Sequence, residues 1–341
     1  MINVFVARPT TSHLVIPDDE LIDTFIELNS DRQDVVFSES SENADIVVFF
    51  QKWSFKTKSY AKQLIEDDFI GQNCEKLYVI NFDDTVGEGF LPGCYVSLRR
   101  SISYQIECFR SIAYPKTYNQ LLLSESASER EDKAECLYWF RGNTSSNEVR
   151  QKLFQLYSNS DDGVVIDATK RFYQHSDQDK LVYADEMRRA KFVLCPRGQS
   201  PNSYRLYEAM SMGKCPVIIA DEWVETIGPN WSECSIRIPE SKINQLEDDL
   251  RLAEPQAKRL GANAKKAWQE HFSEKAKNRA YLDQILDLHS QDPKVTRTFQ
   301  AYKKHWNSRH FLKNNGWCFS QRLVRHFRRV LNLLRSKVIN P

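Results

Sequence analysis

Lys191-Phe-Val-Leu-Cys-Pro-Arg-Gly-Gln-Ser-Pro-Asn-Ser-Tyr-Arg-Leu-Tyr-Glu-Ala-Met-Ser-Met-Gly-Lys-Cys-Pro-Val-Ile-Ile-Ala-Asp221 decides the reading of the fold. It scans as strand, tight turn, helix, turn, strand. The apolar run Phe192 to Cys195 stops at Pro196-Arg197-Gly198, three breakers in succession. Ser200 reads as an N-cap with Pro201 in the first helical position, and Gly213 closes the helix about three turns later. Cys215 to Ala220 follows as a second buried strand. Such a unit presents a helix N-terminus beyond the carboxyl edge of a parallel sheet, where α/β proteins bind anions. Arg205 and Glu208, three apart, share one face of that helix. A cation and an acid beside bare backbone amides suit a nucleotide diphosphate, Arg205 meeting phosphates and Glu208 the ribose hydroxyls.

The same stretch resembles the donor-binding signature of exostosin-like glycosyltransferases, glycosyltransferase family 47. The matching residues are Cys195-Pro196-Arg197-Gly198, then Ser203-Tyr204-Arg205-Leu206-Tyr207-Glu208-Ala209, then Pro216-Val217-Ile218. A looser echo is Ala44-Asp45-Ile46-Val47-Val48-Phe49-Phe50. The resemblance implies a GT-B fold: two Rossmann-like domains with parallel sheets facing across a cleft. It also implies an inverting transferase that takes a sugar from a nucleotide donor, a UDP-sugar above all, to a glycan or lipid-linked acceptor. Retaining GT-B families similar to it carry a second Glu eight residues before the position of Glu208; here that position is Ser200.

Outside the signature, strands alternate with helices, the pattern of a parallel sheet covered on both faces. Expected strands are Ile2–Ala7, Asp34–Ser38, Asp45–Phe50, Lys76–Phe82 and Cys94–Leu98, with helices at Asp18–Asn29 and Lys56–Ile70. The second half repeats the alternation: strand Glu135–Phe140, helix Ser146–Tyr157, strand Gly163–Asp167, helix Gln178–Arg189. Helices are expected at Ser241–Ala253, Glu254–His271 and Lys275–His289, the last crossing back to the first domain. These elements divide the chain into an acceptor-side domain at 1–123, a polar linker at 124–134, a donor-binding domain at 135–290, and a crossover with a basic tail at 291–341.

Composition narrows the class. A chain of 341 residues, 41% hydrophobic and 27% charged, holds two ordinary globular domains. The eight Cys are scattered, several inside apolar strands, as in a reducing compartment, and no pair has zinc spacing. The chain enters a strand at once, with neither a basic n-region nor an apolar h-region, so a cytoplasmic placement is expected. Residues Ala301 to Pro341 carry ten Lys and Arg and no acid, while the first 300 carry 37 basic against 46 acidic residues. Phe319, Leu323, Phe327, Val330, Leu331 and Leu334 recur there at helical spacing opposite Arg322, Arg325, Arg328, Arg329 and Arg335. That pattern suits an anionic membrane surface or docking on the acidic body; nucleic acid is not expected.

The remaining candidates are read from position. Arg141, in Arg141-Gly142-Asn143-Thr144, ends a strand and precedes a helix, so it or the turn amides are placed for nucleotide contact. Arg197, Asn202 and Ser203 sit at or before the signature helix and are further donor-binding candidates. A displacement needs a general base; His13, after the first strand, and Asp83, after the fourth, are the catalytic candidates, with Asp84 beside the latter. Arg99 and Arg100 could hold an anionic acceptor. No cofactor and no metal are expected, Asp177-Gln178-Asp179 reading as a solvated helix start. Two other readings stay open: a GDP-fucose-type GT-B transferase, and a catalytically inactive scaffold that binds nucleotide or glycan.

Overall fold

The structure, a computed structural model, describes residues 1–7, 19–51, 66–84, 88–89, 91–115, 119, 122, 134–169, 176–291 and 299–316. The tail helix expected from 317 onward, the linker up to residue 133, most of the helix expected at 56–70, and His13 lie outside the described residues. The chain groups into two compact units, residues 1–110 with 281–341, and 111–280.

The first unit is built on six strands: β1 (Ile2–Ala7), β2 (Val35–Phe37), β3 (Ile46–Gln51), β4 (Leu77–Asn81), β5 (Gly93–Tyr95) and β6 (Phe109–Ser111). Their spatial order is β2-β1-β3-β4-β5-β6. β1 runs parallel to β2 and β3, β3 to β4, and β4 to β5. β3 and β4 are buried at every position. That continuous apolar run is what a parallel strand covered on both faces requires. Helix α1 (Asp19–Asn29) turns Leu21, Ile22 and Phe25 inward, and the Phe25 ring meets Phe50 edge-on at 5.3 Å. A second short helix, α2 (Asp68–Asn73), is capped by Asp67, whose carboxylate accepts from the Ile70 amide.

The second sheet holds β7 (Cys136–Gly142), β8 (Gly163–Asp167), β9 (Ala190–Pro196), β10 (Cys215–Ile219) and β11 (Ile236–Arg237), in the order β11-β10-β9-β7-β8 and parallel throughout. Its helices are α3 (Glu148–Tyr157), α4 (Asp177–Arg188), α5 (Tyr204–Ser211), α6 (Trp231–Cys234), α7 (Leu246–Ala253), α8 (Ala257–His271) and the start of α9 (Glu274–Gln291). Leu137, Phe140, Leu153, Val165, Phe192, Leu194, Val217 and Leu260 are among the residues of one buried cluster beneath these helices. Gly213, at φ +70, supplies the left-handed residue that ends α5. Two α/β halves with parallel sheets are the GT-B arrangement of elements expected from the sequence. The pattern missed short pieces such as β6, β11 and α6, each too brief to show a period, and the two short helices between residues 299 and 314.

Further along α9, Tyr281, Leu282, Ile285 and Leu288 are buried in the first unit. Tyr281 packs against Phe82 at 6.1 Å, and the Tyr78 hydroxyl meets His289 Nδ1 at 3.2 Å. Ion pairs from Arg32 to Asp283 and from Arg110 to Asp287 fix the outer face of the helix. α10 (Phe299–Trp306) and α11 (Arg309–Asn314) follow, burying Trp306 and Phe311. No helix among the described residues is long and apolar enough to cross a membrane.

Candidate functional site

The second sheet has one topological switch point. From β7 the chain passes through α3 to β8 on one side, and α4 then carries it past β7 to β9 on the other. Between two such diverging connections the carboxyl ends of the strands leave a crevice, where open α/β sheets bind ligands. Its walls are the ends of β7 (Arg141-Gly142-Asn143) and β9 (Pro196-Arg197-Gly198), with the start of α5 above them.

Arg205, on the first turn of α5, is buried in this crevice. Its Nη2 donates to the carbonyl of Arg141, and its guanidinium carbon lies 4.6 Å from the centre of the Phe140 ring. The Nε and Nη1 donors are buried and have no hydrogen-bond partner. Buried N–H groups of a charged side chain are costly to leave unmade, so this pair marks a position prepared for an acceptor. Gly142 allows the approach: a Cβ there would stand 3.0 Å from Arg205 Nη2.

A second buried guanidinium was not singled out in the sequence. Arg150, on α3, donates from Nε to the carbonyls of Pro196 (3.3 Å) and Arg197 (3.1 Å), from Nη2 to Pro196 (3.1 Å), and from Nη1 to Asn143 (3.4 Å). It lies 5.6 Å from the centre of the same Phe140 ring. Burial, and then the charge of Arg205, push its pKa down to about 9, so it stays charged at neutral pH. Arg150 shares the buried stripe of α3 with Leu153 and Tyr157. That i, i+3, i+7 spacing is the signal that could have found it.

The other two arginines of the crevice face carboxylates. Arg141 grips Glu186 with Nε, at 2.8 Å, and with Nη2. Arg197 Nη1 lies 3.7 Å from Glu240, and its Nε is buried without a hydrogen-bond partner. Arg150 and Arg205 have no carboxylate partner among the described residues. Four arginines therefore surround the crevice; Arg150 and Arg205 make no ion pair among the described residues, although Arg205 interacts with the nearby Glu208 through space.

Glu208, one turn beyond Arg205, is buried and accepts from the Tyr183 hydroxyl of α4 at 2.7 Å. Burial raises its pKa, while the Tyr183 hydrogen bond and the charge of Arg205 pull it part-way back. The helix itself starts later than the sequence suggests, at Tyr204 rather than Pro201, with Ser203 as an extended N-cap that makes no side-chain capping bond. The reason is local. The Ser200 hydroxyl accepts from the Asn202 amide at 3.0 Å, and the Asn202 side-chain oxygen accepts from the Ser203 amide at 2.9 Å. These side chains hold a turn in place of a first helical turn. Asn202 Nδ2 reaches the Tyr207 hydroxyl at 3.2 Å, and Ser203 is half-buried at the mouth of α5.

The turn after β7 differs from its expected role in one respect. The Thr144 amide is taken by Asp167 and Thr169, and that of Ser145 by Asn143. These amides are already spent within the turn. In the first unit, Asp83 follows β4 and is buried, its amide donating to Asn81 Oδ1 at 3.0 Å. Asp177 and Asp179 serve the start of α4: Asp179 closes a capping box with Ser176, and Asp177 pairs with Lys180. No group of three or more His, Cys, Asp or Glu among the described residues is placed to hold a metal ion. Cys195 and Cys215 are buried, and desolvation raises both thiols.

A parallel sheet with a cationic crevice at its switch point is an arrangement in which α/β proteins bind anions. Comparison with known proteins refines the class. Residues 103–251, which hold the whole crevice, match the Exostosin GT47 domain. The chain is similar to the probable glucuronosyltransferase GUT1 of Oryza sativa subsp. japonica, 42% identical over 70 residues, 20% of this chain and 17% of that protein. It is also similar to the probable beta-1,4-xylosyltransferase IRX10 of Arabidopsis thaliana, 40% identical over 70 residues, again 20% and 17%. The chain thus spans about a sixth of the length of these relatives. Among solved structures, Anabaena HepE in complex with UDP and glucose aligns over 86% of this chain and 100% of its own, at 9% identity and TM-score 0.42. TarM aligns over 79% and 58%, at 12% identity and TM-score 0.41. The chain resembles exostosin-like glycosyltransferases, and the resemblance lies over the unit that carries the crevice.

Proposed function

We propose that the protein is a glycosyltransferase whose second unit binds the diphosphate of a nucleotide sugar, UDP-linked, between the carboxyl ends of β7 and β9. The observation that carries this reading is the pair of buried guanidiniums without an ion-pair partner among the described residues, Arg150 and Arg205, with Nε and Nη1 of the latter unpartnered. The names of the matched relatives, glucuronosyl- and xylosyltransferases, support sugar transfer as the activity.

In this reading Arg205 donates to the diphosphate, and Glu208, its carboxylate aligned by Tyr183, accepts from the ribose hydroxyls. Asn202 and Ser203 line the approach, Arg197 offers its unpartnered Nε, and Arg141 reaches the ligand only by exchanging Glu186 for phosphate. Transfer is a single, inverting displacement. The acceptor hydroxyl forms the new C–O bond at the anomeric carbon, its proton passes to a base, and the anomeric bond to the diphosphate breaks. Fixed cations stabilise the charge that develops on the departing phosphate, the largest effect available to such a site. His13 and Asp83 are the proposed bases, and the acceptor is a glycan or a lipid-linked glycan.

Calorimetry with UDP on the wild type, Arg205→Ala and Glu208→Ala tests the donor site. Loss of a charged hydrogen-bond partner costs about 1.5–3 kcal/mol, so each variant is expected to bind roughly 10- to 150-fold more weakly. Unchanged affinity in both variants refutes the assignment. Transfer from labelled UDP-sugars separates an enzyme from an inactive scaffold, and a GDP arm in the titration separates a GDP-sugar user.

A further inference from the structure

We infer that Arg150 is a positioning residue that makes the crevice selective for a diphosphate over a monophosphate. This rests on the donor reading above but concerns a residue outside it, one whose three guanidinium nitrogens all bond backbone carbonyls.

Arg150 reaches from α3 to both walls of the switch point. It bridges the carbonyl of Asn143 beyond β7 to those of Pro196 and Arg197 at the end of β9. Those carbonyls lie at or just beyond the ends of two adjacent parallel strands, so a single guanidinium ties the two strand ends together. Gly198 is shaped to this contact: a Cβ there would stand 3.1 Å from Arg150 Nη2.

Its second effect is charge. Arg150 and Arg205 lie 5.6 and 4.6 Å from the centre of the same Phe140 ring. Like charges in a poorly solvated crevice raise each other's free energy. Glu186 and Glu240 are committed to Arg141 and Arg197, and Glu208 is the acid whose charge Arg205 feels. A monophosphate places its charge at one point, beside Arg205; a diphosphate spreads more charge along the crevice, within the field of both guanidiniums. Arg150 acts through the backbone it holds and through Arg205.

The test is calorimetry of the full chain with UDP, UMP and inorganic pyrophosphate, on the wild type, Arg150→Lys and Arg150→Met. The wild type is expected to bind UDP at least tenfold more tightly than UMP. Arg150→Met is expected to bring that ratio to about two while UMP affinity changes little. Arg150→Lys, which keeps the charge but not the three-carbonyl bridge, is expected to restore part of it. A merely structural role would weaken both nucleotides alike, and a ratio unchanged in a folded Arg150→Met protein overturns the inference. If Arg150→Met does not fold, Gly198→Ala, which displaces the guanidinium, is expected to reduce the same ratio, and an unchanged ratio there overturns it equally. Pyrophosphate binding without UDP binding, with pyrophosphate lost in Arg150→Met, upholds Arg150 and rejects the donor reading. Binding of none of the three anions by the wild type rejects both.

Discussion

The guanidinium of Arg205 is held by the face of Phe140, 4.6 Å from its ring centre, and by the carbonyl of Arg141. Neither contact neutralises it. Arg141, by contrast, is closed onto Glu186. Two arginines that look equivalent in the sequence are therefore in opposite states: one has spent its charge on the fold, and the other keeps it.

That relationship makes Gly142 sensitive. Its missing side chain leaves the space that Arg205 Nη2 uses, and a Cβ would also meet Phe140 at 3.1 Å. Gly142→Ala is expected to weaken UDP binding by about tenfold, with the far-ultraviolet circular dichroism of the wild type retained. Wild-type affinity in that variant would show that Arg205 needs no such clearance.

Glu208 gives a stability prediction with a definite sign. Its folded pKa lies above the usual carboxylate value, burial being the main cause. The folded state therefore holds its proton more tightly than the unfolded chain does, and stability declines as pH rises from the usual value through the folded one. Glu208→Gln keeps an acceptor for Tyr183 and removes the buried charge. It is expected to melt higher than the wild type at pH 7, with the difference vanishing below about pH 4, while UDP binding is lost. A lower melting temperature at pH 7 would contradict this account.

Lys277 follows the same logic with the opposite charge. It is buried beside a cavity of about 10 Å³, lined also by Tyr114, Tyr204, Tyr207, Trp268 and Phe272. Desolvation lowers its pKa from 10.5 to about 8, with Glu274 opposing. The unfolded chain binds this proton more tightly, so the penalty is complete below about pH 8 and fades as pH approaches 10.5. Lys277→Met is expected to stabilise the protein by up to about 3 kcal/mol at neutral pH and by little at pH 10.5. Denaturant titrations at the two pH values measure the difference.

Glu88 anchors α10 and α11. Its side chain is fully buried and accepts from His305 Nε2 and Asn314 Nδ2, each at 2.7 Å. Burial raises its pKa, but those two hydrogen bonds and the nearby histidines outweigh burial and leave it lowered. The group therefore stabilises above the usual carboxylate value and loses that contribution as pH falls through the folded one. Glu88→Ala is expected to cost about 3 kcal/mol and to raise amide exchange across residues 299–316. Exchange there equal to the wild type's would disconnect Glu88 from that segment.

The order of strands and helices was legible because parallel strands buried on both faces leave dense apolar runs such as Ile46–Phe50 and Phe192–Cys195. The crevice was legible in part. Pro196-Arg197-Gly198 announced a strand end, and Arg205 with Glu208 announced a charged helix start. Three things were hidden. Arg150 sits among Glu148, Gln151 and Lys152 and reads as one more surface charge, because its acceptors are backbone carbonyls that carry no residue identity. The pairing of Arg141 with Glu186 joins residues 45 apart, and nothing in either sequence neighbourhood requires it. The start of α5 was misjudged because Ser200 and Asn202 satisfy amides inside a turn as readily as at a helix cap.

One feature of the chain path reaches beyond the folded state. The second unit is a continuous stretch, whereas the first is assembled from residues 1–110 and a return segment beginning at Tyr281. During synthesis the early strands emerge first, yet the residues that seal them, Tyr281, Leu282, Ile285 and Leu288, are made only after the whole second unit. A ribosome stalled once residue 280 has left its exit tunnel displays a finished second unit and an unsealed first sheet. The apolar surface waiting for α9 is then the part of the nascent protein most in need of a chaperone.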